Sequence, residues 1–138
     1  MSLMTYLREH AKTSACKRYG VAALVVTRWR GDEGFASIAL NRSSTACTGE
    51  VGKCGCEHAE MIALAEALTP FVKRASCEGI CVWVTTSPCL SCATTLLHTA
   101  LDFGCPLSVR CGALYRDIAG FELLKAAGSI KNVGLPLG

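Results

Sequence analysis

The sequence predicts an α/β fold in which helices cover both faces of a central five-stranded mixed sheet, a three-layer αβα arrangement. Two β-prone runs, residues 21–27 and 35–40, are separated by a short turn and predict an antiparallel hairpin. After residue 70 the order is strand, helix, strand, helix, strand, which requires parallel strands with right-handed crossovers. With 138 residues and a hydrophobic fraction of 51%, the chain is expected to form a single domain over 1–138.

The first half of the chain is predicted to form a helix, the hairpin and a long loop. Residues 2–13 have apolar side chains at helical spacing, and Ser2 is placed to cap the helix N-terminus. The continuous apolar run at 21–27 predicts a strand buried on both faces. Residues 41–57 are rich in glycine and cysteine and predict a loop, and a loop this long in a small domain is usually functional.

The second half of the chain alternates helices and strands. A helix at 58–68 is expected to end before Pro70. The next elements are a strand at 80–86, a helix from Pro88 to about Leu101, a strand at 106–111, a helix at 120–127 and a short fifth strand at 130–133. Pro88 is expected at the first helical position, which tolerates proline, and Gly128 is expected to close the last helix.

Charge and composition argue against several classes of partner. The 14 basic and 11 acidic residues leave a net charge of only +3, so a nucleic-acid partner is not expected, whereas a small anionic substrate needs only one or two basic groups. No run of 18 apolar residues is present, so no membrane segment is expected. Residues 1–17 are charged where a signal peptide needs an apolar core, which predicts a cytoplasmic protein with reduced cysteines.

Two short motifs carry the chemistry of the chain. The first is His58-x-Glu60 and the second is Pro88-Cys89-x-x-Cys92, each at the predicted start of a helix. One imidazole and two thiolates can hold Zn²⁺ tetrahedrally and leave the fourth position for water, whose pKa then falls to about 7. Glu60 need not bind the metal and is placed to accept and return protons. The pair of motifs therefore predicts a catalytic zinc site of the kind found in nucleobase deaminases.

Other interpretations of these residues explain less. A lone Cys-x-x-Cys motif also occurs in redox sites, but a redox site does not require His58 and Glu60. A purely structural site needs a fourth protein ligand, which Glu60 cannot easily supply from the same helical turn as His58. A non-catalytic zinc domain used for interaction is therefore the weaker alternative.

The runs around both motifs resemble the cytidine deaminase superfamily. They are Cys56-Glu57-His58-Ala59-Glu60-Met61-Ile62-Ala63-Leu64 and Val84-Thr85-Thr86-Ser87-Pro88-Cys89-Leu90-Ser91-Cys92-Ala93. Within the superfamily the chain is most similar to the deoxycytidylate (dCMP) deaminases, including those of bacteriophages. Residues 14–23 and 115–128 resemble further segments of that branch. The resemblance implies a cytidine-deaminase-like fold, a homo-oligomer and, if the chain is phage-encoded, a place in the host cytoplasm.

The resemblance also implies a reaction and its residues. The reaction is hydrolytic removal of ammonia from C4 of cytosine, with dCMP converted to dUMP and Glu60 moving the protons. Asn41, the backbone amide near Ala59 and the carbonyl of Ser87 are implied to hold the substrate. Tyr115 is expected to pack beside the base or to line the pocket. The phosphate is expected to bind basic residues near the site, which are Arg42, Arg116 and, behind them, Lys53.

The loop cysteines raise the possibility of a second, structural zinc. Some dCMP deaminases hold an extra zinc here, and by resemblance its ligands are Cys16, Cys47, Cys54 and Cys56, with free or packed thiols as the alternative. The chain departs from its relatives around Asn41, where Ala39-Leu40-Asn41-Arg42 replaces Gly-aromatic-Asn-Gly. That motif serves allosteric regulation by nucleotides, so such regulation is not expected here.

The alternative enzyme is a tRNA adenosine deaminase or another nucleoside or base deaminase. The tRNA branch shares the His-Ala-Glu and Pro-Cys-x-x-Cys motifs, but it carries a glycine and an arginine after the second motif that Ala93-Thr94-Thr95-Leu96 does not supply. The modest net charge also disfavours an RNA partner.

Overall fold

The computed structural model of the chain describes residues 2–16, 19–30, 34–42, 56–68, 77–115 and 117–130. The helices in these ranges are α1 (Leu3–Ala11), α2 (Ala59–Leu68), α3 (Leu90–Phe103) and α4 (Ala119–Ala126). The strands are β1 (Ala22–Trp29), β2 (Phe35–Leu40), β3 (Cys77–Val84) and β4 (Leu107–Cys111). None of the helices in the described residues is long and apolar enough to cross a membrane.

The strands form one mixed sheet in the order β2-β1-β3-β4. β1 pairs antiparallel with both β2 and β3, whereas β3 and β4 are parallel. The predicted α/β class, the antiparallel hairpin and the parallel pairing of the later strands are therefore confirmed. Opposite Val84 at the end of β3 lie Ala23 of β1 and Cys111 of β4, which brings these strands together at one end of the sheet.

The sequence predicted five strands, and the described residues form four. The predicted fifth strand fell at 130–133, of which only Ile130 lies in the described part of the chain. Ile130 is buried, and the N–H of Val109 in β4 donates a hydrogen bond of 2.9 Å to the carbonyl of Ser129. The segment after α4 therefore lies beside β4, but Ser129 and Ile130 are too short a stretch to form a strand.

The sheet has helices on both faces. Ala23 and Val25 of β1 belong to the main core with buried residues of α2, α3 and α4, whereas Ala22 packs with Leu7 and Ala11 of α1. Successive side chains of a strand point to opposite faces, so α1 covers one face and the other helices lie on the opposite side. This arrangement confirms the three layers predicted from the sequence and buries both faces of β1.

Local signals explain the helix ends. The Ser2 side chain accepts a hydrogen bond of 3.1 Å from the N–H of Thr5, as expected for an N-cap. The cap of α3 is Cys89 rather than a residue before Pro88, so the prediction that Pro88 opens the helix was wrong by two residues. The Cys89 sulfur accepts from the N–H of Cys92, an interaction that requires Cys89 to stand outside the helix. Gly104 ends α3 in the left-handed region, with φ of 66°.

Candidate active site

One end of the sheet carries an open cavity with about 430 Å³ of empty space. The C-terminal ends of β2, β3 and β4 and the N-terminal end of β1 meet there, and α2 begins beside them. The wall combines aromatic, hydroxyl, amide, carboxyl and metal-ligating side chains with two small apolar ones: Tyr19, Val21, Asn41, His58, Ala59, Glu60, Thr86, Ser87, Cys89 and Tyr115. Both sequence motifs therefore open into the same cavity.

A backbone bridge fixes the position of His58. The N–H of Arg42 donates to the carbonyl of Glu57 at 3.1 Å, and the N–H of Glu57 donates to the carbonyl of Arg42 at 2.6 Å. This pair ties the end of β2 to the residue before His58. The His58 carbonyl then accepts from the N–H groups of Met61 and Ile62, so His58 stands directly before the first turn of α2.

His58, Cys89 and Cys92 form a cluster that can hold a metal ion. Nδ1 of His58 lies 3.0 Å from Sγ of Cys92 and 3.6 Å from Sγ of Cys89, and the three ligand atoms lie within 4.8 Å of one another. Tetrahedral zinc with ordinary Zn–N and Zn–S bond lengths separates its ligands by about 3.5–3.8 Å. Small adjustments of these side chains would therefore accommodate the ion, and the donor set is one that zinc prefers.

The two thiols of the cluster differ in acidity. Hydrogen bonds from Cys92 and His58 stabilise the Cys89 thiolate and lower the pKa of Cys89 to about 4. The hydrogen bond to Cys89 and burial together raise the pKa of Cys92 far above its ordinary value. The opposite shifts mean that the two interacting thiols share one proton near neutral pH. Zinc coordination by both sulfurs must displace that proton.

Glu60 is a buried carboxyl group in the first turn of α2. Its side chain is 3% exposed, and burial raises its pKa from 4.5 to about 7, although a backbone hydrogen bond and His58 oppose the shift. A carboxyl group with a pKa near neutrality can both accept and donate a proton at physiological pH. Perturbed groups of this kind in a cavity are typical of catalytic sites.

Asn41 organises the part of the cavity wall that lies between the end of β2 and the start of β1. Its Oδ1 accepts hydrogen bonds from Oγ of Ser14 at 2.6 Å and from the N–H of Val21 at 2.9 Å. Its Nδ2 donates to the carbonyl of Tyr19 at 2.7 Å. Asn41 is therefore a structural link between β2 and the segment before β1, and its second amide hydrogen has no acceptor among the described residues.

Of the other residues predicted to bind substrate, three lie in the cavity wall. Ala59, Ser87 and Tyr115 lie in the wall, and Oγ of Ser87 accepts a hydrogen bond of 2.6 Å from the N–H of Tyr115. Arg42 is exposed and is not part of the wall. Arg116 lies outside the described residues, so its predicted contact with phosphate stays a prediction.

The predicted structural zinc falls mainly on residues that the structure does not describe. Cys47, Cys54 and the basic residue Lys53 lie outside the described residues. Cys16 is buried and Cys56 is half-buried. The four-cysteine site therefore stays a prediction.

Three residues of the wall were missed by the sequence analysis. Tyr19 and Val21 come from the segment before β1, and Thr86 follows β3 directly. The position of Thr86, three residues before Cys89, was a usable signal, because the end of a strand that leads into a metal motif must border the metal site. Tyr19 had no comparable signal, because hydrogen bonds from distant Asn41 to its carbonyl and between Asn41 and Val21 hold this segment at the cavity.

Comparisons with known proteins agree with this geometry. A profile of the cytidine and deoxycytidylate deaminase zinc-binding region matches residues 1–102. The crystal structure of dCMP deaminase from the cyanophage S-TIM5 in complex with dCMP and dUMP is similar, with a TM-score of 0.66 and 23% identity over 93% of this chain and 91% of that chain. The same cyanophage enzyme in its apo form gives a TM-score of 0.62 and 22% identity, over 92% and 90% of the two chains. Comparison with curated proteins gave no match.

The profile match spans both motifs, from the helix that precedes the sheet to the end of the metal-binding segment in α3. The structural similarity supports the same fold across nearly the whole chain. The metal cluster supplies the ligand chemistry that a zinc-binding deaminase requires. The chain belongs to the cytidine and deoxycytidylate deaminase family and is a zinc-dependent hydrolase that acts on C–N bonds.

Proposed function

We propose that this protein converts dCMP to dUMP and ammonia. The observation that carries the proposal is that the His58–Cys89–Cys92 cluster and the buried carboxyl group of Glu60 share one cavity. In this proposal His58, Cys89 and Cys92 hold the zinc and Glu60 is the catalytic acid–base. Zinc bound at these ligands supplies Lewis-acid activation of water at neutral pH.

The proton transfers are assigned to Glu60. As a carboxylate it accepts a proton from the attacking water while a new C–O bond forms at C4. It delivers that proton to N3 of the ring, and then passes a second proton from the added oxygen to the amine. The C4–N bond breaks and ammonia leaves, so the product is the uracil nucleotide. A pKa near 7 suits a group that must both take and give protons in each cycle.

The wall supports a pyrimidine base as the group that enters. The described lining residues include no lysine or arginine, and the aromatic side chains of Tyr19 and Tyr115 offer faces for a ring. The spare amide hydrogen of Asn41 and the carbonyl of Ser87 are assigned to substrate contacts. The similar cyanophage structure was determined with dCMP and dUMP, which also supports a cytosine nucleotide here.

The phosphate is assigned to Arg42 and Arg116, with Lys53 near them. Arg42 directly follows Asn41, which lies in the wall, and its exposed side chain is available to an anionic group. Because hydrogen bonds to charged groups are worth about 1.5–3 kcal/mol, Arg42→Ala should raise the KM for dCMP at least tenfold. The variant should leave the turnover of deoxycytidine unchanged. Arg28→Ala, in the exposed part of β1, is the matched control.

A substrate panel tests the proposed function. The zinc-loaded protein is mixed separately with dCMP, deoxycytidine, cytidine and an adenosine-bearing tRNA stem-loop, and the products are separated by chromatography. The highest kcat/KM is expected for dCMP. Preferential formation of inosine in the stem-loop would replace the proposal with RNA editing, and equal kcat/KM for deoxycytidine and dCMP would remove the phosphate site from it.

A second zinc at Cys16, Cys47, Cys54 and Cys56 is part of the proposal. Ser14 links the segment around Cys16 to Asn41, and the Arg42–Glu57 bridge holds Cys56 near the same point. Fully loaded protein should contain two zinc ions per chain, and Cys16→Ser should contain one. Cys81→Ser, a half-buried cysteine of β3, should keep both. One zinc per chain in the fully loaded wild type would rule out the second site.

A homo-oligomer in the cytoplasm completes the proposal. β2 is an edge strand in the described sheet, and an edge strand is a surface to which a second copy can add. Reduced thiols are needed at both proposed metal sites, which fits a cytoplasmic setting. Light scattering should give a mass above 14.6 kDa, and a monomer at all concentrations would remove this part.

A further inference from the structure

Thr86 holds a buried hydroxyl group that the fold does not use. Its side chain is 6% exposed, and its Oγ1 has no hydrogen-bond partner. Among the described residues, every other buried side-chain oxygen or nitrogen atom has a hydrogen-bond partner. Buried polar groups are almost always paired, so an unpaired one calls for a physical reason.

The hydroxyl groups on either side of Thr86 are both engaged by the protein. Oγ1 of Thr85 accepts a hydrogen bond of 3.1 Å from the N–H of Ala22, which ties the end of β3 to β1. Oγ of Ser87 accepts a hydrogen bond of 2.6 Å from the N–H of Tyr115, which ties the same segment to the residues after β4. The segment is therefore held on both sides without any contribution from the Thr86 hydroxyl.

Thr86 lies in the wall of the cavity that contains His58, Glu60 and Cys89. A ligand that fills this cavity meets the wall of which Thr86 is part. A hydroxyl group can donate one hydrogen bond and accept others, so it suits either kind of polar atom on a ring. Oγ1 itself is enclosed by protein in this rotamer. Rotation about the Cα–Cβ bond to another staggered rotamer changes which atom of Thr86 faces the cavity, so a bound molecule can supply the missing partner.

We propose that the Thr86 hydroxyl is a substrate-binding group that forms a hydrogen bond with a polar atom of the pyrimidine base. This inference rests on the proposed function, because it takes the cytosine nucleotide as the ligand. The base is favoured over the phosphate for two reasons. The ring must enter this cavity to reach Glu60, and a phosphate group needs cations that the described wall does not supply.

The proposal predicts opposite effects of Thr86→Val on binding and on stability. Valine keeps the shape of threonine and removes the hydroxyl. Loss of one neutral hydrogen bond to substrate should raise the KM for dCMP by roughly threefold to tenfold, with kcat within about twofold of the wild-type value. The substrate-free protein should unfold at the same or a higher temperature, because the variant no longer buries an unpaired oxygen.

Two further variants make the comparison specific. Thr86→Ser restores a hydroxyl group and should return the KM toward the wild-type value. Thr99→Val removes a hydroxyl on α3 that donates to the carbonyl of Thr95 within the helix and should leave the KM unchanged. A raised KM in Thr86→Val alone would therefore reflect the lost contact with the base.

Two results would overturn the proposal. An unchanged KM for dCMP in Thr86→Val would mean that the hydroxyl does not touch the substrate, while the wild-type activity on dCMP would still stand. A fall of roughly 4 °C or more in the unfolding temperature of the substrate-free variant would mean that the hydroxyl has a partner within the fold. This second measurement needs no turnover, so it tests the inference even if wild-type protein fails to deaminate dCMP.

Discussion

Glu60 and Cys89 line the same cavity, and their pKa values are displaced in opposite directions. Burial raises the pKa of Glu60 to about 7, whereas hydrogen bonds from Cys92 and His58 lower the pKa of Cys89 to about 4. Each displacement suits the role proposed for the residue. Glu60 is poised to exchange protons, and Cys89 is a thiolate ready to bind metal.

Removing the carboxyl group of Glu60 should abolish most of the activity and leave the metal in place. Glu60→Gln should lower kcat by about 10²–10⁴, because glutamine cannot exchange protons. Zinc content, measured by atomic absorption, should stay at the wild-type level. Glu66→Gln is the matched control on the exposed side of α2, where the Glu66 carboxylate accepts a hydrogen bond from Oγ of Ser37. A loss below tenfold in Glu60→Gln would assign the proton transfers to another group.

The same variant should gain stability in the zinc-free protein at alkaline pH. The folded state binds the Glu60 proton more tightly than the unfolded chain, since the pKa rises from 4.5 to about 7. The contribution of Glu60 to the free energy of unfolding is therefore fully present below pH 4.5 and is lost as the pH rises through 7. Above pH 7 the charged carboxyl group should destabilise the fold by roughly 3 kcal/mol, which glutamine avoids. Urea unfolding at pH 5.5 and pH 8 checks this.

The contradicting result is a difference between Glu60→Gln and wild type that does not change with pH. The control is again Glu66→Gln, whose stability should follow the wild-type curve. A gain of stability on loss of activity would also mark Glu60 as a residue kept for chemistry rather than for folding.

The metal ligands could be predicted from the sequence better than the other residues of the cavity wall. The cluster of His58, Cys89 and Cys92 was predictable because metal ligation requires particular residue types at particular spacings, whereas the catalytic role of Glu60 stays a prediction. The unpaired hydroxyl of Thr86 was not predictable, since whether a buried oxygen has a partner depends on atoms from other parts of the chain.

At the scale of elements, α4 packs against the backbone of the segment that carries Cys89. Gly120 in α4 packs against the backbone of Pro88 and Cys89, where a β-carbon would overlap the Pro88 carbonyl oxygen and lie 2.6 Å from the Cys89 carbonyl. Only glycine allows this approach, because the obstructing atoms are backbone atoms. The helix therefore holds the segment that presents Cys89.

Gly120→Ala should therefore disturb both packing and the metal. Pushing α4 away from the Cys89 backbone should destabilise the protein by about 1–3 kcal/mol and weaken zinc affinity by about tenfold. Competition with a chromophoric chelator measures the affinity. Gly79→Ala is the control in β3, where the nearest atom to a β-carbon is 4.0 Å away. Zinc affinity equal to the wild-type value in Gly120→Ala would show that α4 does not position Cys89.

Elements were predicted correctly in type and less well at their ends. The bounds 35–40 for β2 and the start of α1 after Ser2 followed from local signals and were confirmed. β3 begins at Cys77 rather than at residue 80, and the Cys77 thiol donates a hydrogen bond of 3.6 Å to the carbonyl of Gly79 within the same strand. The start of β3 could not be inferred from local sequence, because Cys77 pairs with Trp29 of β1 and that register is set by the whole sheet.

For the whole molecule, the strand order explains why distant motifs meet. β1 lies between β2 and β3, so Asn41 after β2 and Thr86 after β3 flank the start of β1 at one end of the sheet. The hairpin and the parallel strands were predictable separately from the sequence. The structure adds the antiparallel pairing of β1 with β3. This pairing joins the hairpin to the parallel strands and creates the cavity.

The reaction itself is the most direct test of the account. Zinc-loaded wild-type protein is incubated with dCMP, and nucleotide and ammonia are measured over time. We expect equimolar dUMP and ammonia, loss of turnover when zinc is stripped, and recovery when zinc alone is returned. Folded, fully zinc-loaded protein that leaves dCMP intact would contradict the account.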